Sequence, residues 1–255
     1  MRIQASYISN IGTTRKKNED SLLINDILVC DADMDSADEV TSSDERQIYV
    51  VADGMGGHQM GEIASRTVLE VFRQRYKDIE NEADISDVVF FAKDALDRLA
   101  GDDNLRYGMG TTVSGIFFGH NEVFVFNCGD SRVYLLRDGA LERLTKDHSL
   151  VQELVDIGTI TESEMRFHPQ KNIVTSAVVA DLHGGLPDVD AKAMKMSDDS
   201  TFLICTDGLW ESMGREEMEE CFRDMEKTVE CLLKGAIAGG GRDNISAIVV
   251  RIRDI

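Results

Sequence analysis

Three aspartates in this chain each lie in a glycine-marked turn directly after an apolar run. They are Asp53, Asp207 and Asp243. The apolar runs predict buried strands, and glycine lets the backbone turn sharply where such a strand ends. A carboxylate at a buried strand end needs a compensating cation, and no lysine stands beside any of the three. Because oxygen ligands of this kind suit Mg²⁺ or Mn²⁺ rather than Zn²⁺, the sequence predicts a metal site.

Composition restricts the class of protein. With 255 residues, of which 42% are hydrophobic, the chain is long enough for one β-rich domain with a large core. The formal net charge of −20 disfavours nucleic acid and anionic membranes as partners, because both attract clusters of lysine and arginine. Bound metal ions would supply local positive charge for an anionic substrate.

The cysteines and the N-terminus indicate a cellular compartment. The five cysteines lie mostly in apolar stretches without a CxxC pair, which predicts free thiols in a reducing compartment: Cys30, Cys128, Cys205, Cys221 and Cys231. The first residues are too polar for a signal peptide, and no apolar run approaches the roughly 18 residues that a transmembrane helix needs. We therefore expect a cytoplasmic protein.

Hydrophobic periodicity divides the chain into helices and strands. Apolar residues at helical spacing predict helices over 60–77, 84–100, about 149–157 and 215–237. Strands are predicted over 1–9, 21–30, 200–206 and 245–250, and antiparallel strands fill 111–144.

The 111–144 segment indicates how the sheets pack. Val123-Phe124-Val125-Phe126 is apolar at each position, which predicts a strand covered on both faces, and Asp138-Gly139 predicts a hairpin turn. Such strands beside amphipathic helices predict two sheets packed face to face, with helices outside each. With no internal repeat and no long linker, we expect one domain over 1–255.

An acidic stretch at 31–46 has two interpretations. Its start, Asp31-x-Asp33-x-Asp35, suggests a calcium loop. The sixth and twelfth positions are Ser36 and Ser42, however, where such a loop needs glycine and a bidentate glutamate. We expect a solvated, mobile loop instead.

Eight short motifs follow one another along almost the whole chain. They are Arg15-Lys16-Lys17-Asn18-Glu19-Asp20-Ser21, Asp53-Gly54-Met55-Gly56-Gly57-His58 with its continuation Gly61-Glu62-Ile63-Ala64-Ser65, Gly108-Met109-Gly110-Thr111-Thr112, Asn127-Cys128-Gly129-Asp130-Ser131-Arg132, Leu144-Thr145-Lys146-Asp147-His148-Ser149, His168-Pro169-Gln170-Lys171-Asn172, Thr206-Asp207-Gly208-Leu209-Trp210 and Arg242-Asp243-Asn244-Ile245-Ser246. Each alone is weak. In this order they resemble the bacterial PPM family of metal-dependent protein phosphatases, also called protein phosphatase type 2C.

The resemblance implies a fold and an activity. The fold is α+β, a four-layer α-β-β-α sandwich of two antiparallel sheets flanked by helix pairs, with a binuclear metal site at one end. The activity is Mg²⁺/Mn²⁺-dependent hydrolysis of phosphoserine and phosphothreonine monoesters on proteins, by a hydroxide bridging two ions roughly 3.5–4 Å apart. The segment at about 150–185 corresponds to the family's flap. The implied partners are phosphoprotein substrates of a cognate Ser/Thr kinase, and we expect a monomer.

The resemblance also assigns the two core ions. Asp53 is the bridging carboxylate, and the Gly54 carbonyl adds a backbone oxygen. Asp207 and Asp243 complete the coordination of one ion. Glu19 reaches the other ion, largely through the water molecules bound to that ion.

Three further roles follow from the matched positions. Asp20 would hydrogen-bond the water shell of an ion, and Asp130 would share a weaker third ion with Asp207. Arg15 offers a planar fork for two phosphate oxygens. Arg15 and Asp53 are therefore the predicted catalytic residues. The alternatives are that Arg15 is a surface charge beside Lys16 and Lys17 and that Asp130 only caps a turn; we favour the phosphate and metal roles.

Several positions leave alternatives open. Asp147 and Asn244 either support the metal ligands or only form turns. Animal family members carry a histidine, implicated as general acid, directly after the metal-binding Asp-Gly, where this chain has Met55. His58, three residues later, is expected to cap or pack at the next helix, which leaves the proton donor unassigned. Ser176 replaces an arginine common in bacterial relatives, so the resemblance does not assign the substrate contacts at the flap.

Two other functions compete with the phosphatase. A non-catalytic binding module would have the fold without its ligands, but Asp53, Asp207 and Asp243 are all present. A related metallohydrolase acting on phosphodiesters or nucleic acid is disfavoured by the net charge of −20.

Overall fold

Two antiparallel sheets form the centre of the molecule. The computed structural model describes residues 2–56, 60–101, 107–119, 122–181, 184–196 and 199–254. The strands are β1 Arg2–Asn10, β2 Asp20–Ile24, β3 Ile27–Cys30, β4 Asp38–Ser42, β5 Gln47–Met55, β6 Gly110–Thr111, β7 Val113–Phe118, β8 Glu122–Cys128, β9 Arg132–Arg137, β10 Ala140–Arg143, β11 Val178–Val179, β12 Asp190–Lys195, β13 Thr201–Cys205 and β14 Ile245–Asp254. The first sheet has the order β10-β9-β13-β14-β1-β4 and the second β11-β6-β5-β7-β8-β12, with β2 pairing β5 and β3.

The helices fall into two groups and a separate pair. They are α1 Gly61–Arg75, α2 Glu82–Ala100, α3 Leu150–Asp156, α4 Glu162–Met165, α5 Asp207–Trp210, α6 Arg215–Cys221 and α7 Thr228–Ala238. A 3₁₀ turn at Tyr76–Asp78 extends α1. Helices α1 and α2 pack with the second sheet, and α5, α6 and α7 pack with the first. Helices α3 and α4 lie in the predicted flap.

Alternation along the central strands produces four layers. In β5, Tyr49 and Val51 lie in the core between the sheets, whereas Ile48, Val50 and Ala52 lie in the core under α1 and α2. Strand side chains point alternately to the two faces of a sheet, so a strand apolar at each position must be covered on both. The predicted α-β-β-α sandwich is confirmed.

Strand β8 and the hairpin after it agree with the sequence prediction. Val123 and Val125 pack between the sheets, while Phe124 and Phe126 pack under the helices. Asp138 and Gly139 connect β9 to β10 with φ of 53° and 82°, the left-handed backbone that a two-residue hairpin of this type requires.

Two predictions near the N-terminus were wrong. The single strand predicted over 21–30 is a hairpin, because Asn25 takes a left-handed φ of 55° and its side-chain oxygen accepts the Ile48 N–H at 2.9 Å. Asparagine tolerates this conformation better than most residues. The acidic 31–46 segment, expected to be a mobile loop, contains β4, which pairs with β1 at the edge of the first sheet.

The helix predicted over 215–237 is two helices, and this changes the cysteine chemistry. In one continuous helix, ten residues would separate Cys221 and Cys231 by about 15 Å. The break between α6 and α7 instead brings their Cα atoms to 5.5 Å, and the two form a disulfide. The expectation of free thiols was therefore wrong for this pair. Cys30, Cys128 and Cys205 are free.

No helix among the described residues is long and apolar enough to cross a membrane.

Candidate metal centre

Strand ends from both sheets carry the predicted metal ligands to one end of the sandwich. Asp20 begins β2 and is paired with Asp53 in β5. The backbone of Asp53 is fixed by Thr112, whose N–H donates to the Asp53 carbonyl at 2.9 Å and whose Oγ1 accepts the Asp53 N–H at 3.1 Å. Thr206 Oγ1 donates to Asp20 Oδ2 at 2.9 Å, which ties the residue before Asp207 to the second sheet.

Gly54 allows three segments to meet behind this cluster. A Cβ at this position would lie 2.2 Å from the carbonyl oxygen of Gly61 and 2.5 Å from that of Glu19. The Gly54 N–H donates to the same Glu19 carbonyl at 3.2 Å. Any side chain at Gly54 would therefore push the Glu19 segment and the start of α1 away from β5.

Asn244 connects the Asp243 turn to the Glu19 turn. Its Oδ1 accepts the Glu19 N–H at 2.9 Å, and its Nδ2 donates to the carbonyl oxygens of Ile11 at 3.0 Å and Lys17 at 2.9 Å. Of the two roles left open by the sequence, the contacts favour support of neighbouring ligand residues. Sequence spacing alone could not reveal this, because the partners lie more than 200 positions away.

The carboxylates are close enough to change one another's ionisation. Burial raises the pKa of Asp53 well above its ordinary value, and the charges of Asp20, Asp207, Asp243 and Asp130 raise it further. Burial likewise raises the pKa of Asp207 well above its ordinary value. The charges of Asp130 and of other neighbouring acids raise it further. The neighbouring charges thus make Asp53 and Asp207 harder to ionise.

The two most buried members of the group show the same effect. Asp20 is 1% exposed and Asp130 is 4% exposed. Burial raises the pKa of Asp20 to about 7, against the lowering effect of hydrogen bonds from Ser246 and Thr206. Burial, followed by the charges of Asp147 and Glu211, raises the pKa of Asp130 to about 7. We call Asp20, Asp53, Asp130, Asp207 and Asp243 together the acidic cluster.

Two oxygens of the acidic cluster fit a cation. Asp20 Oδ1 and Asp207 Oδ1 are buried and accept no hydrogen bond from any residue that the structure describes. A buried carboxylate oxygen without a donor is costly, and a hard divalent cation would satisfy it. Asp53, Asp207 and Asp243 are only half-buried, so the cluster remains open to solvent on one side. The donor set is all oxygen, which suits Mg²⁺ or Mn²⁺.

The cluster is not a closed cage of ligands. Within the described ranges, no group of three or more His, Cys, Asp or Glu side chains is arranged to hold one ion alone. Mg²⁺ commonly retains several waters and uses only one or two carboxylates at a time. The arrangement therefore fits hydrated ions between carboxylates rather than a fully protein-ligated ion.

Arg15 lies at the open side of the cluster. Its Nη2 donates to Asp243 Oδ2 at 2.6 Å, and this hydrogen bond is the main reason that the pKa of Arg15 is raised. The side chain is 48% exposed, so other donors of the guanidinium face solvent. Arg15 thus lies at the cluster, as the sequence predicts, and its guanidinium is hydrogen-bonded to the carboxylate of Asp243.

The predictions missed an ion pair between the flap and Glu211, which directly follows α5. Lys171 Nζ pairs with Glu211 Oε2, and both residues are half-buried. Burial raises the pKa of Glu211, while the Lys171 hydrogen bond lowers it. Glu211 directly follows the Thr206–Trp210 motif, and Lys171 belongs to the His168–Asn172 motif, so their proximity to matched motifs was the available signal.

The described histidines do not join the acidic cluster. His148 Nε2 lies 3.2 Å from Asp190 Oδ2, and His168 Nδ1 accepts the Gln170 N–H at 3.2 Å. His58, expected to cap or pack at α1, lies outside the described residues. Ser176, at the position of the family's arginine, accepts the Asp188 N–H at 2.8 Å.

Comparison with known proteins agrees with this geometry. The family profile described as Protein phosphatase 2C matches residues 30–235. The serine/threonine phosphatase stp of Listeria monocytogenes is 31% identical over 224 residues, which cover 84% of this chain and 87% of that protein. The serine/threonine protein phosphatase PstP of Mycobacterium tuberculosis is 33% identical over 213 residues, 82% of this chain and 41% of that protein.

Solved structures of serine/threonine phosphatases are also similar to this chain. The Mycobacterium tuberculosis serine/threonine phosphatase PstP/Ppp superposes with a TM-score of 0.81 and 29% identity, over 100% of both chains. The catalytic domain of PstP in complex with two manganese ions superposes with a TM-score of 0.79 and 29% identity, again over 100% of both chains. With sequence, fold and the order of its motifs in agreement, this chain belongs to the protein phosphatase 2C family.

Proposed function

We propose that this protein hydrolyses phosphoserine and phosphothreonine monoesters on other proteins, and so reverses the action of a Ser/Thr kinase. The observation that carries the proposal is the acidic cluster, which includes two buried carboxylate oxygens without donors, Asp20 Oδ1 and Asp207 Oδ1, and has an exposed arginine, Arg15, at its open side. A protein with a net charge of −20 can bind a phosphate at such a site only if local positive charge is supplied.

Two core ions, Mn²⁺ or Mg²⁺, and a weaker third ion are the proposed cofactors. Asp53, the Gly54 carbonyl, Asp207 and Asp243 would hold the core ions, with Glu19 and Asp20 acting on their water shell. When bound, such ions neutralise the phosphate and activate the attacking water. The two manganese ions in the PstP structure support the core pair. We refer to the third ion, between Asp130 and Asp207, as the peripheral ion.

The chain's own residues bind and orient the substrate. Arg15 offers several N–H donors in one plane, a geometry that matches two oxygens of a phosphate. The hydrogen bond to Asp243 fixes the direction of the guanidinium at the cluster. Glu211, held by Lys171 of the flap, connects the flap to the helix that begins at Asp207.

The proposal extends to partners and location. The substrates are phosphoproteins, those of a cognate Ser/Thr kinase, and neither nucleic acid nor membrane is a partner. We propose a cytoplasmic monomer in which 1–255 forms one catalytic domain, with the flap at about 150–185.

One assay separates the phosphatase from the two competing functions. Phosphate release from a phosphothreonine peptide is measured in Mn²⁺, in parallel with a phosphodiester substrate and with DNA. The proposal predicts release from the peptide alone. Hydrolysis of the diester or of DNA at a comparable rate would support the related metallohydrolase, and no hydrolysis of any substrate would support a binding module.

Arg15→Ala should mainly raise KM. If Arg15 holds the phosphate equally in the ground state and the transition state, its loss removes a charged hydrogen bond of about 1–3 kcal/mol, or roughly 5–150-fold in KM. The measurement is steady-state kinetics on a phosphothreonine peptide at saturating Mn²⁺. Lys16→Ala, which removes an exposed charge next to it, serves as control and should change KM little. A collapsed kcat with unchanged KM would instead place Arg15 in transition-state stabilisation only.

A further inference from the structure

Trp210 connects the two segments that carry Asp130 and Asp207. Trp210 ends the short helix α5, which begins at Asp207. Its indole Nε1 donates a hydrogen bond to the backbone carbonyl of Asp130 at 3.0 Å, and the side chain is buried, with 3% of the residue exposed. The one tryptophan of the chain thus ties one carboxylate-bearing turn directly to the other.

A buried ion pair lies behind the indole ring. The guanidinium carbon of Arg132 lies 3.5 Å from the Trp210 ring centroid, a close cation–π contact. Arg132 donates to Asp147 from Nε at 3.0 Å and from Nη2 at 2.6 Å, and from Nη1 to the Tyr134 hydroxyl at 3.3 Å. The Arg132 side chain is 8% exposed and that of Asp147 is 0% exposed. These hydrogen bonds leave the Arg132 guanidinium little freedom to move away from the Trp210 ring.

The Asp130 turn is held on its other side as well. Gly129 has a φ of 125°, and a Cβ there would lie 2.5 Å from Thr112 Cβ. Thr112 in turn fixes the backbone of Asp53. The carboxylate of Asp130 therefore depends on two sets of contacts, those of Gly129 with Thr112, His148 and Asn127 and that of its own carbonyl with Trp210. The second of these is the one shared with the Asp207 helix.

We propose that Trp210, backed by the Arg132–Asp147 ion pair, positions Asp130 against Asp207 and thereby sets the affinity of the peripheral ion. This rests on the proposed function, because the peripheral ion is part of it. Trp210, Arg132 and Asp147 are positioning residues, since they act through Asp130 and Asp207. When a residue that orients a metal ligand by contacting it is replaced, metal affinity commonly changes by about 10–100-fold.

The first test is Trp210→Phe, which removes the indole N–H but keeps an aromatic ring under Arg132. Mn²⁺ binding is followed by calorimetry and by the electron paramagnetic resonance signal of free Mn²⁺. The expected result is about tenfold weaker binding of the weakest ion, with the two tighter ions changed by less than about twofold. Tyr49→Phe is the matched control, because it removes another buried hydrogen bond of an aromatic side chain, to Gln47 at 2.6 Å.

Steady-state kinetics of Trp210→Phe at several Mn²⁺ concentrations test the same role in a second way. If Trp210 only stabilised the fold, its replacement would lower the active fraction at all Mn²⁺ concentrations. If it positions Asp130, kcat should fall at low Mn²⁺ and return toward the wild-type value at high Mn²⁺, while KM for the peptide stays unchanged. Loss of kcat that excess Mn²⁺ does not restore would overturn the positioning role.

The fluorescence of the wild-type protein tests the contact directly. Because Trp210 is the only tryptophan, its emission reports on this site alone. We expect its quenching by paramagnetic Mn²⁺ to follow the filling of the weakest ion. Quenching that is complete once two ions are bound would contradict the proposal, as would a wild-type protein that binds only two ions.

A double replacement tests the ion pair without leaving a buried charge unpaired. Removing only Arg132 or only Asp147 risks unfolding, whereas Arg132→Met with Asp147→Leu replaces both by apolar groups. Circular dichroism confirms the fold, and the weakest ion should then bind several-fold less tightly. These binding measurements need no substrate. If ion affinities shift as expected but the wild type does not hydrolyse phosphopeptides, the proposed function fails and the positioning role stands. Unchanged affinity in both variants would overturn the positioning role alone.

Discussion

Asp53→Asn should abolish phosphate release from a phosphothreonine peptide while the protein remains folded. Asp53 faces Asp20 across paired strands, and its pKa is raised by burial and by four neighbouring acids, so it lies at the centre of the acidic cluster. Removing its charge takes away the proposed bridge between the core ions. We expect kcat to fall by about 10²–10³-fold or more, since removing one preorganised charge-stabilising group already costs this much.

The same substitution should stabilise the protein in chelator. The folded-state pKa of Asp53 is raised, so the favourable effect of its protonation is fully present below the unfolded-state pKa, about 3.9, and is lost as pH rises through the folded-state value. Above the unfolded-state pKa, Asp53 therefore costs the metal-free fold stability, whether it is held ionised or must keep its proton, and asparagine removes this cost. Relief of about 1 kcal/mol would raise Tm by about 2–4 °C.

Thermal unfolding in EDTA at pH 8 and pH 5 tests the predicted direction of this pH dependence of stability. The Tm advantage of Asp53→Asn should be largest at pH 8 and shrink at pH 5, because the wild-type cluster then gains protons. Asp87→Asn makes the same chemical change on the exposed face of α2 and should leave both activity and Tm nearly unchanged. Wild-type turnover in Asp53→Asn would remove this residue from the metal centre.

Asp130→Ala should separate the peripheral ion from the core pair. Asp130 is 4% exposed, and burial with the charges of Asp147 and Glu211 raises its pKa to about 7. Losing this carboxylate should weaken one ion and leave the two proposed core ions in place. We expect kcat on phosphopeptides to fall by roughly 10–100-fold, with two Mn²⁺ still bound.

A crystal structure of Asp130→Ala in Mn²⁺, with kinetics on the same preparation, decides the point. Reduced occupancy of the two core ions would show that Asp130 belongs to the core, and unaltered turnover would show that the peripheral ion is dispensable. Asp94→Ala is the matched control, because it removes a charge from the exposed face of α2.

The layers and the carboxylate-bearing turns at strand ends could be predicted from the sequence because both depend on local patterns, whereas the location of the metal site at one end of the sandwich was implied by the family resemblance. Val123–Phe126 is apolar at each position, and the structure places its residues alternately in two cores. The turns at Asp53, Asp207 and Asp243 follow apolar runs, and strand ends of a sandwich meet at its edges. These inferences need only the nearest neighbours of each residue.

The errors arose where distant residues decide the local conformation. The 21–30 run bends at Asn25 because the Asn25 side chain binds Ile48 on a neighbouring strand. Strand β4 forms in an acidic segment because β1 supplies its partner backbone. The Cys221–Cys231 disulfide depends on the break between α6 and α7. None of these partners can be identified from composition or periodicity.

The supporting contacts of the site were likewise out of reach of sequence spacing. Trp210 and Asp130 are 80 positions apart, and Lys171 and Glu211 are 40 apart. Family order could assign roles to Asp130 and Asp207, but not the side chain that joins them. The structure adds this joining contact.

The most direct test of the metal centre is one titration of metal-free protein with Mn²⁺, in which bound ions and phosphate release from a phosphothreonine peptide are measured together. We expect no turnover in EDTA, and turnover that begins only after two ions are bound and rises further with the third. Asp53→Asn should bind fewer ions and stay inactive throughout. Full activity in EDTA, or turnover that is independent of the number of bound ions, would contradict a phosphatase built on the acidic cluster.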